Sequence, residues 1–210
     1  TGLPFYVVYP KDGGAPITVG FRTALVATGS EVTRLPVPGL EETGYWTSDD
    51  LLDAESLPDR LVVLGGGAIA LEMACYLEGL GKAVTVIQRS SRVLSGSDPD
   101  IAESLAETLR RRDSFVLHTG TRLLRVESES SGAKTVSFEQ NGTTHFVTAD
   151  EILQAVGRRP NTAGLDATGA GIVLDEDGRI LCDAGQCTSV PHLFAAGDVC
   201  GPHEVVHIAI

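Results

Sequence analysis

The sequence predicts an α/β fold in three layers, with a parallel sheet at its centre and an antiparallel β-meander after it. Apolar runs at Leu61–Leu64 and Val84–Ile87 flank a glycine-rich turn and a helical pattern, which is the order of a βαβ unit. A second helical pattern follows at Asp98–Arg112, and then alternating runs separated by turn residues. Strands that alternate with helices are typical of a parallel sheet, and short alternating runs are typical of an antiparallel one.

The stretch Leu61–Arg89 has the spacing of a dinucleotide-binding turn. Gly65 falls at the carboxyl end of the first strand, where the chain must turn sharply. Gly67 lacks the Cβ that would hold a pyrophosphate away from the backbone, and Ala70 is small enough for the helix to lie close to the strand. The helix directs its free N–H groups and the positive end of its dipole at the turn. The turn is therefore expected to bind the pyrophosphate of a dinucleotide.

Both predicted helices have an apolar face, and each has a recognisable end. The first should stop near Gly79 and Gly81, and the second has acidic residues in its first turn and basic residues in its last. The residues expected to face the core are Ile69, Met73, Leu77 and Leu80 in the first helix, and Ile101, Leu105 and Leu109 in the second.

The end of the second strand bears on which dinucleotide is bound. About 20 residues past the turn, a site selective for NAD normally presents Asp or Glu to the ribose 2′-hydroxyl. This chain has Gln88 and Arg89 there, with Arg92 nearby. Cations without a carboxylate favour the 2′-phosphate of NADP. Gln88 can still bond an unphosphorylated ribose, and an exposed arginine is often only a solvated charge, so NAD stays an alternative.

The remaining elements surround this unit. A stretch rich in Pro and Gly, Leu35–Gly44, is expected to be a linker, and Asn141-Gly142 is a hairpin turn signal within the meander. Further strands are expected at Phe5–Tyr9, Ile17–Val19, Ala24–Ala27, Phe115–His118 (third parallel strand), Leu123–Glu127, Thr135–Gln140 and Thr143–Val147 (meander), and Glu151–Val156 (return to the sheet).

Composition excludes several classes of protein. The 210 residues allow one large or two small domains, and 42% hydrophobic content is ordinary for a globular core. No uncharged apolar run approaches the roughly 18 residues of a membrane span, and no secretory signal pattern opens the sequence. The net charge of -12 argues against a nucleic-acid surface. The expected compartment is the cytoplasm, with no membrane or nucleic-acid partner.

The four cysteines are expected to be free thiols, because the chain resembles a cytosolic protein. Cys182 and Cys187 have the spacing of a redox pair, but no helical pattern follows that would lower a thiol pKa. Cys200, His203 and His207 have ligand-like spacing, so a zinc site is a minor alternative to surface histidines beside an ordinary turn. We predict no metal site.

Four motifs in order carry a family resemblance. They are ALVATGS (Ala24–Ser30), GGGAIALE (Gly65–Glu72), AVGRRPN (Ala155–Asn161) and HLFAAGDV (His192–Val199). Together they resemble the flavin-dependent pyridine nucleotide-disulfide oxidoreductases, class I, and within them the group of dihydrolipoamide dehydrogenase, mercuric reductase and glutathione reductase. The resemblance implies a nicotinamide-binding domain of Rossmann type at 47–162, flanked by partial FAD-binding segments at 1–46 and 163–210.

The resemblance also implies roles for individual residues. Asp198 would lie at the ribityl and phosphate region of FAD, although a Gly-Asp step also suits a helix N-cap. Glu72 would lie near the nicotinamide, although a solvated acid in the first helical turn is as good an interpretation. The implied NAD(P) residues are Gly65, Gly67, Ala68, Ile69, Glu72, Gln88, Arg89 and Gly157, and the implied FAD residues are Thr28, Gly29 and Asp198.

The departures from the family pattern limit what this chain can do. The chain has neither the family's flavin GxGxxG turn with its CxxxxC redox pair nor the C-terminal interface domain with its His-Glu pair. It is expected to be an inactive central fragment without catalytic residues, from a homodimer that passes hydride from NAD(P)H to FAD and electrons onward to a disulfide or a metal-bound thiolate. The alternatives are an NAD(P)H oxidase or another flavoprotein reductase of the same superfamily, and a non-catalytic nucleotide sensor.

Overall fold

The computed structural model describes residues 4–201, which form two compact units with a mixed α/β fold. The middle unit is Val32–Gly157, and the outer unit combines the described residues up to Glu31 with those from Arg158 onward. The helices are α1 (Leu40–Thr43), α2 (Ser48–Leu52), α3 (Ala68–Gly79) and α4 (Pro99–Arg110). The strands are β1 (Phe5–Val8), β2 (Ile17–Gly20), β3 (Ala24–Val26), β4 (Ser30–Val32), β5 (Arg60–Leu64), β6 (Ala83–Ile87), β7 (Phe115–His118), β8 (Thr121–Ser128), β9 (Lys134–Gln140), β10 (Thr143–Ala149), β11 (Glu151–Gln154), β12 (Arg158–Pro160) and β13 (Leu193–Ala195).

The middle unit is built on a parallel sheet in the order β11-β5-β6-β7. Successive residues of β5 point to opposite faces, so Leu61 and Val63 enter one core cluster and Val62 and Leu64 enter the other. Helices α2, α3 and α4 cover the first face, and the meander with α1 covers the second. Strand β5 is apolar on both faces because both are buried. The predicted α/β fold with a parallel sheet and the predicted third strand at β7 are confirmed.

Helix α3 ends where the sequence predicts, but it buries a different face. Gly81 takes φ 79°, and the bonds from Gly81 N to Glu78 O (2.9 Å) and Lys82 N to Leu77 O (3.1 Å) form a Schellman motif. The prediction that Ile69 and Leu80 face the core is wrong, since they are 36% and 51% exposed. The buried residues are Ala70, Leu71, Ala74 and Leu77. The two alanines let the helix lie close to the sheet.

Helix α4 shows the same kind of shift. Asp98 caps its N-terminus by accepting a hydrogen bond from Asp100 N at 3.0 Å, and Pro99 occupies the first turn. The prediction that Ile101 faces the core is wrong, because its side chain is 62% exposed and Leu105 is only partly buried. The buried residues are Ala102, Ala106 and Leu109. Small residues are again selected at the closest approach of helix and sheet.

The predicted meander is confirmed as an antiparallel sheet in the order β10-β9-β8. Asn141 and Gly142 have φ values of 52° and 76° at the turn between β9 and β10, as a two-residue hairpin turn of type I′ requires. Val126, Val136 and Phe138 are buried against the parallel sheet. The meander therefore forms the third layer in place of further helices.

The stretch predicted as a linker contains structure. Leu40, in α1, is completely buried in the same core cluster as Val126. Helix α2 begins with a capping box in which Thr47 and Asp50 bond each other's backbone N–H groups. The buried side chain of Leu40 packs this segment into the core of the middle unit. The Pro and Gly content of the segment gives no sign of this packing.

The outer unit is assembled from both ends of the described chain. β1 pairs with β2 in an antiparallel hairpin, and β3 pairs in parallel with β13. Its core cluster includes Val26, Ile172, Ile180, Leu193 and Val199. Among residues 4–201, no helix has the length and apolar character needed to cross a membrane.

Candidate functional site

The glycine turn after β5 is tightly enclosed at its first position. Gly65 has φ 119°, and a Cβ there would lie 2.3 Å from the carbonyl oxygen of Ala155. Its N–H donates to Ile87 O at 3.0 Å, so the turn is tied to the end of β6. Gly65 is thus required by the fold itself, both for its backbone conformation and for the close approach of the chain after β11.

Gly67 has no such structural requirement. It stands at the N-cap of α3 with φ -78° and ψ -176°, a conformation open to any residue, and a Cβ there would meet no atom within 4 Å. No side chain from residues 4–201 caps the helix, so first-turn N–H groups of α3 are left for another partner. Gly67, Ala68, Ile69 and Glu72 all lie on the exposed outer side of this helix start.

The segment after β6 lies against the glycine turn. A Cβ on Gly66 would come within 2.9 Å of Gln88 Cγ, and Leu94 N donates to Gly66 O at 2.8 Å. The Gln88 side chain bonds Arg92 O at 3.3 Å, and its backbone N–H bonds His118 O at 2.8 Å. The carboxyl ends of β5, β6 and β7 are therefore joined along one edge of the sheet, which is where α/β folds bind ligands.

Two cations at this edge have no partner among the residues that the structure describes. Most arginines in the described part of the chain pair with a carboxylate or a hydroxyl. Arg89 and Arg92, like Arg22 elsewhere, make no ion pair and no side-chain hydrogen bond with any residue from 4 to 201. Arg89 is exposed and Arg92 is half-buried. In a protein of net charge -12, these two guanidinium groups make the surface beside the turn locally positive.

The other predicted residues of the middle unit also lie toward this region. Gly157, with φ 124°, follows β11, the strand next to β5. Glu72 is exposed and makes no ion pair or hydrogen bond within residues 4–201. Its carboxylate is therefore free to face either solvent or a ligand.

In the outer unit, Asp198 is the last member of a short series of hydrogen-bonded side chains. Ser30 Oγ donates to Asp198 Oδ2 at 2.8 Å, and Arg158 donates to Ser30 through Nε (2.7 Å to Oγ) and Nη2 (2.9 Å to the carbonyl oxygen). Asp198 Oδ1 accepts nothing from the described residues. The carboxylate is thus held by a side chain rather than by the backbone N–H groups that an N-cap residue would bind, among those described.

Thr28 and Gly29 are held by the loop that follows β12. Thr28 Oγ1 donates to Asn161 O at 2.7 Å, and Asn161 N donates to Gly29 O at 2.9 Å. The predicted flavin residues Thr28, Gly29 and Asp198 are therefore gathered around Ser30 in one unit. Ser30 and Arg158 were missed as site residues, since their motifs identify the segments but not the hydrogen bonds between them.

The cysteines make no disulfide, and all four are free thiols of intermediate exposure. Cys187 Sγ donates to Pro191 O at 3.8 Å. Within residues 4–201, no three His, Cys, Asp or Glu side chains are grouped to hold a metal ion. The alternative zinc ligands His203 and His207 lie outside the described residues.

The fold and the order of the motifs define a mixed α/β protein. Its glycine turn lies at the carboxyl end of β5 in the parallel sheet. Residues 6–210 match the family model for pyridine nucleotide-disulphide oxidoreductases, and the chain belongs to this family. The resemblance found in the sequence is thereby confirmed. Members of this family use FAD and pyridine nucleotide.

Individual relatives agree with this membership. The mitochondrial dihydrolipoyl dehydrogenase of Dictyostelium discoideum is 36% identical over 209 residues, which are 98% of this chain and 43% of that protein. The mercuric reductase of Acidithiobacillus ferrooxidans is 36% identical over 208 residues, covering 97% of this chain and 36% of that protein. The chain thus spans less than half the length of these relatives.

A solved structure is also similar. The Cu(II) complex of the HOCl-induced flavoprotein disulfide reductase RclA from Escherichia coli matches with a TM-score of 0.84 and 28% identity. The match covers 98% of this chain and 45% of that one. Sequence and structure comparisons therefore point to the same class I disulfide oxidoreductases.

Proposed function

We propose that this chain is the NAD(P)H-binding portion, with part of the FAD-binding portion, of a flavin-dependent disulfide or mercuric-type oxidoreductase. In that enzyme, hydride passes from NAD(P)H to FAD. We retain 47–162 as the nicotinamide-binding domain of Rossmann type, with 1–46 and 163–210 as the flanking FAD-binding segments. The observation that carries the proposal is Gly67, a glycine that the fold does not need, at the uncapped start of a helix.

The pyrophosphate fits the start of α3. Gly67 leaves room for the phosphate oxygens, and the backbone N–H groups of Ala68 and Ile69 are in the helical turn that has no internal acceptor. Gly65 allows the chain to turn sharply before the helix, because it adopts a positive φ. The helix dipole adds to the attraction for two negative charges.

The free cations support a preference for NADP. Arg89 and Arg92 provide planar donors that suit a phosphate, and neither has a competing carboxylate among residues 4–201. Gln88 stands where an NAD-selective site has an acid, and it is neutral. We therefore propose NADP as the preferred nucleotide, with Gln88 bonding the ribose.

The remaining residues are assigned to the nicotinamide ring and to FAD. The nicotinamide supplies hydride chemistry when it is bound, and we place Glu72 and Gly157 beside it. Asp198 has an unused Oδ1 acceptor for a hydroxyl of the FAD ribityl chain, and Ser30 and Arg158 hold that carboxylate in place. Thr28 and Gly29 line the same site. These residues bind and orient the cofactors and carry no chemical step themselves.

The chain alone is expected to bind nucleotide weakly, to retain little or no flavin and to have no reductase turnover. For the intact enzyme we keep a homodimer in the cytoplasm, with no nucleic-acid or membrane partner. The net charge of -12 supports the exclusion of nucleic acid. Tightly bound FAD in the purified chain would contradict the flavin part of this proposal.

The test is a calorimetric titration of the 210-residue chain with NADPH and with NADH. We expect NADPH to bind more tightly, and Arg89→Ala to weaken NADPH about tenfold while leaving NADH unchanged, because one charge-assisted hydrogen bond is lost. Arg22→Ala is the matched control, since Arg22 also makes no ion pair or hydrogen bond within the described part of the chain but lies in the outer unit. Equal losses in both variants would mean that only net charge matters.

A further inference from the structure

Two cysteine side chains in the outer unit meet at a single acceptor. Cys182 Sγ and Cys200 Sγ each donate to Gln186 Oε1, both at 3.5 Å. The two thiols come from different segments, one following Ile180 and the other in the turn that follows Asp198. They are therefore close in space although the sequence spacing points to Cys182 and Cys187 as the pair.

The shared acceptor is held in an unusual backbone conformation. Gln186 has φ 62°, in the left-handed region that a residue with a side chain rarely adopts. Its N–H donates to Asp183 O at 2.9 Å, and its carbonyl oxygen accepts from Ala195 N at 3.0 Å. These two backbone bonds hold the backbone of Gln186 in place, and both thiols reach the amide oxygen of its side chain.

The surroundings of Cys200 favour an uncharged sulfur. Burial, followed by the hydrogen bond and charge of Cys182, raises the pKa of the Cys200 thiol to about 11. Its neighbour Val199 is completely buried. The Cys200 sulfur is therefore a protonated thiol at neutral pH, and a disulfide, which also carries no charge, suits the same surroundings.

The other two cysteines lack this arrangement. Cys187 Sγ bonds Pro191 O at 3.8 Å and does not reach Gln186. Cys75 lies on α3 in the middle unit. The juxtaposition is thus specific to Cys182 and Cys200 among the described residues.

We propose that Cys182 and Cys200 form an intramolecular disulfide when a two-electron thiol oxidant of the azodicarboxamide or small-molecule disulfide class is present. Each thiol loses its proton, a bond forms between the two sulfurs, and two electrons pass to the oxidant, which takes up the two protons. The cross-link ties the segment after Ile180 to the turn that carries Asp198. This inference does not depend on nucleotide or flavin binding.

The test is to oxidise the full chain with diamide, alkylate the remaining thiols and cleave on the N-terminal side of aspartate. Cleavage there puts the three outer-unit cysteines in three peptides, 177–182, 183–197 and one that starts at Asp198. We expect a mass loss of about 2 Da in the intact monomer, from two hydrogen atoms. The cross-link should join peptide 177–182 to the peptide with Cys200, leaving Cys75 and Cys187 alkylated.

Variants give a second readout. The Cys187→Ser variant should show the same mass loss of about 2 Da as the parent chain. The Cys182→Ser variant should show no mass loss, because it lacks one of the two sulfurs of the disulfide. A cross-link between Cys182 and Cys187, disulfide-linked dimers without an internal bond, or full alkylation of Cys182 and Cys200 after diamide would each overturn the proposal. The peptide map of the parent chain decides the matter even if a variant fails to fold.

Discussion

Gly66 and Gln88 are in direct contact, with the position of a Cβ on Gly66 only 2.9 Å from Gln88 Cγ. The contact joins the glycine turn to the end of β6. A nucleotide whose pyrophosphate lies at the start of α3 would therefore have its adenosine ribose near Gln88, Arg89 and Arg92. The chemistry of these three side chains then decides between a 2′-hydroxyl and a 2′-phosphate.

The two outer glycines of the turn should separate stability from binding. Gly65→Ala should lower the free energy of unfolding by about 3 kcal/mol, because φ 119° and an approach of 2.3 Å to Ala155 O both oppose a side chain. Gly67→Ala should cost no more than about 1 kcal/mol, the usual difference between Gly and Ala at an N-cap, since its φ is ordinary and nothing is nearby. Urea unfolding of both variants measures the difference. Similar costs at the two positions would mean that Gly67 is structural.

Gln88→Glu should reverse the nucleotide preference. A carboxylate at the end of β6 accepts a bond from an unphosphorylated ribose and repels a 2′-phosphate. We expect NADPH affinity to fall about tenfold or more and NADH affinity to rise, measured by calorimetry. Gln186→Glu is the matched control, because it makes the same change on an exposed side chain of the outer unit. A loss of NADPH affinity in both variants would point to net charge rather than to the ribose site.

A partly buried ion pair joins the meander to the parallel sheet. Lys134 Nζ bonds Glu151 Oε1, and the two side chains are only 13% and 14% exposed. Lys134→Met should cost about 2 kcal/mol of unfolding free energy, because it leaves a carboxylate without its charge partner. Adding Glu151→Leu should recover part of that loss. Fully additive losses in the double-mutant cycle would show that the pair is not coupled.

The cap of α2 should make a small part of the stability depend on pH. The hydrogen bond from the Thr47 hydroxyl, together with that from its backbone N–H, holds the pKa of Asp50 below its usual value of 3.8. A lowered pKa in the folded state means that the stabilisation is complete above about pH 4 and is lost as the pH falls through the folded value. Asp50→Asn should therefore destabilise the chain at pH 7 by about 0.5 kcal/mol, after allowance for solvent screening, and less at pH 3.

Unfolding midpoints at the two pH values check this, with Asp49→Asn as the control. Asp49 lies in the same helical turn and loses the same charge, but it makes no hydrogen bond with Thr47. A loss for Asp50→Asn that is constant from pH 7 to pH 3 would show that the cap does not depend on the charge.

The parallel strands are predictable from the sequence because fully buried strands are apolar throughout. The glycine turn is predictable because it follows directly after such an apolar run. The helix faces are not, since α3 is apolar on almost all sides and its alanines, rather than Ile69, occupy the tightest contact. The chain from Arg158 through Ser30 to Asp198 joins segments that are 128 and 168 residues apart. No local pattern reports such contacts, and the approach of Cys182 and Cys200 to Gln186 is not predictable for the same reason.

The most direct test of nucleotide binding at this turn is an amide chemical-shift map of the isotope-labelled chain titrated with NADPH. We predict that the largest chemical-shift changes fall on the amides of Gly66–Glu72 and Gln88–Arg92. These changes should be lost in the Gly67→Val variant, whose spectrum should otherwise remain that of a folded protein. Saturable changes confined to other surfaces, or changes at the turn that persist in Gly67→Val, would contradict the assignment of the start of α3 as the nucleotide site.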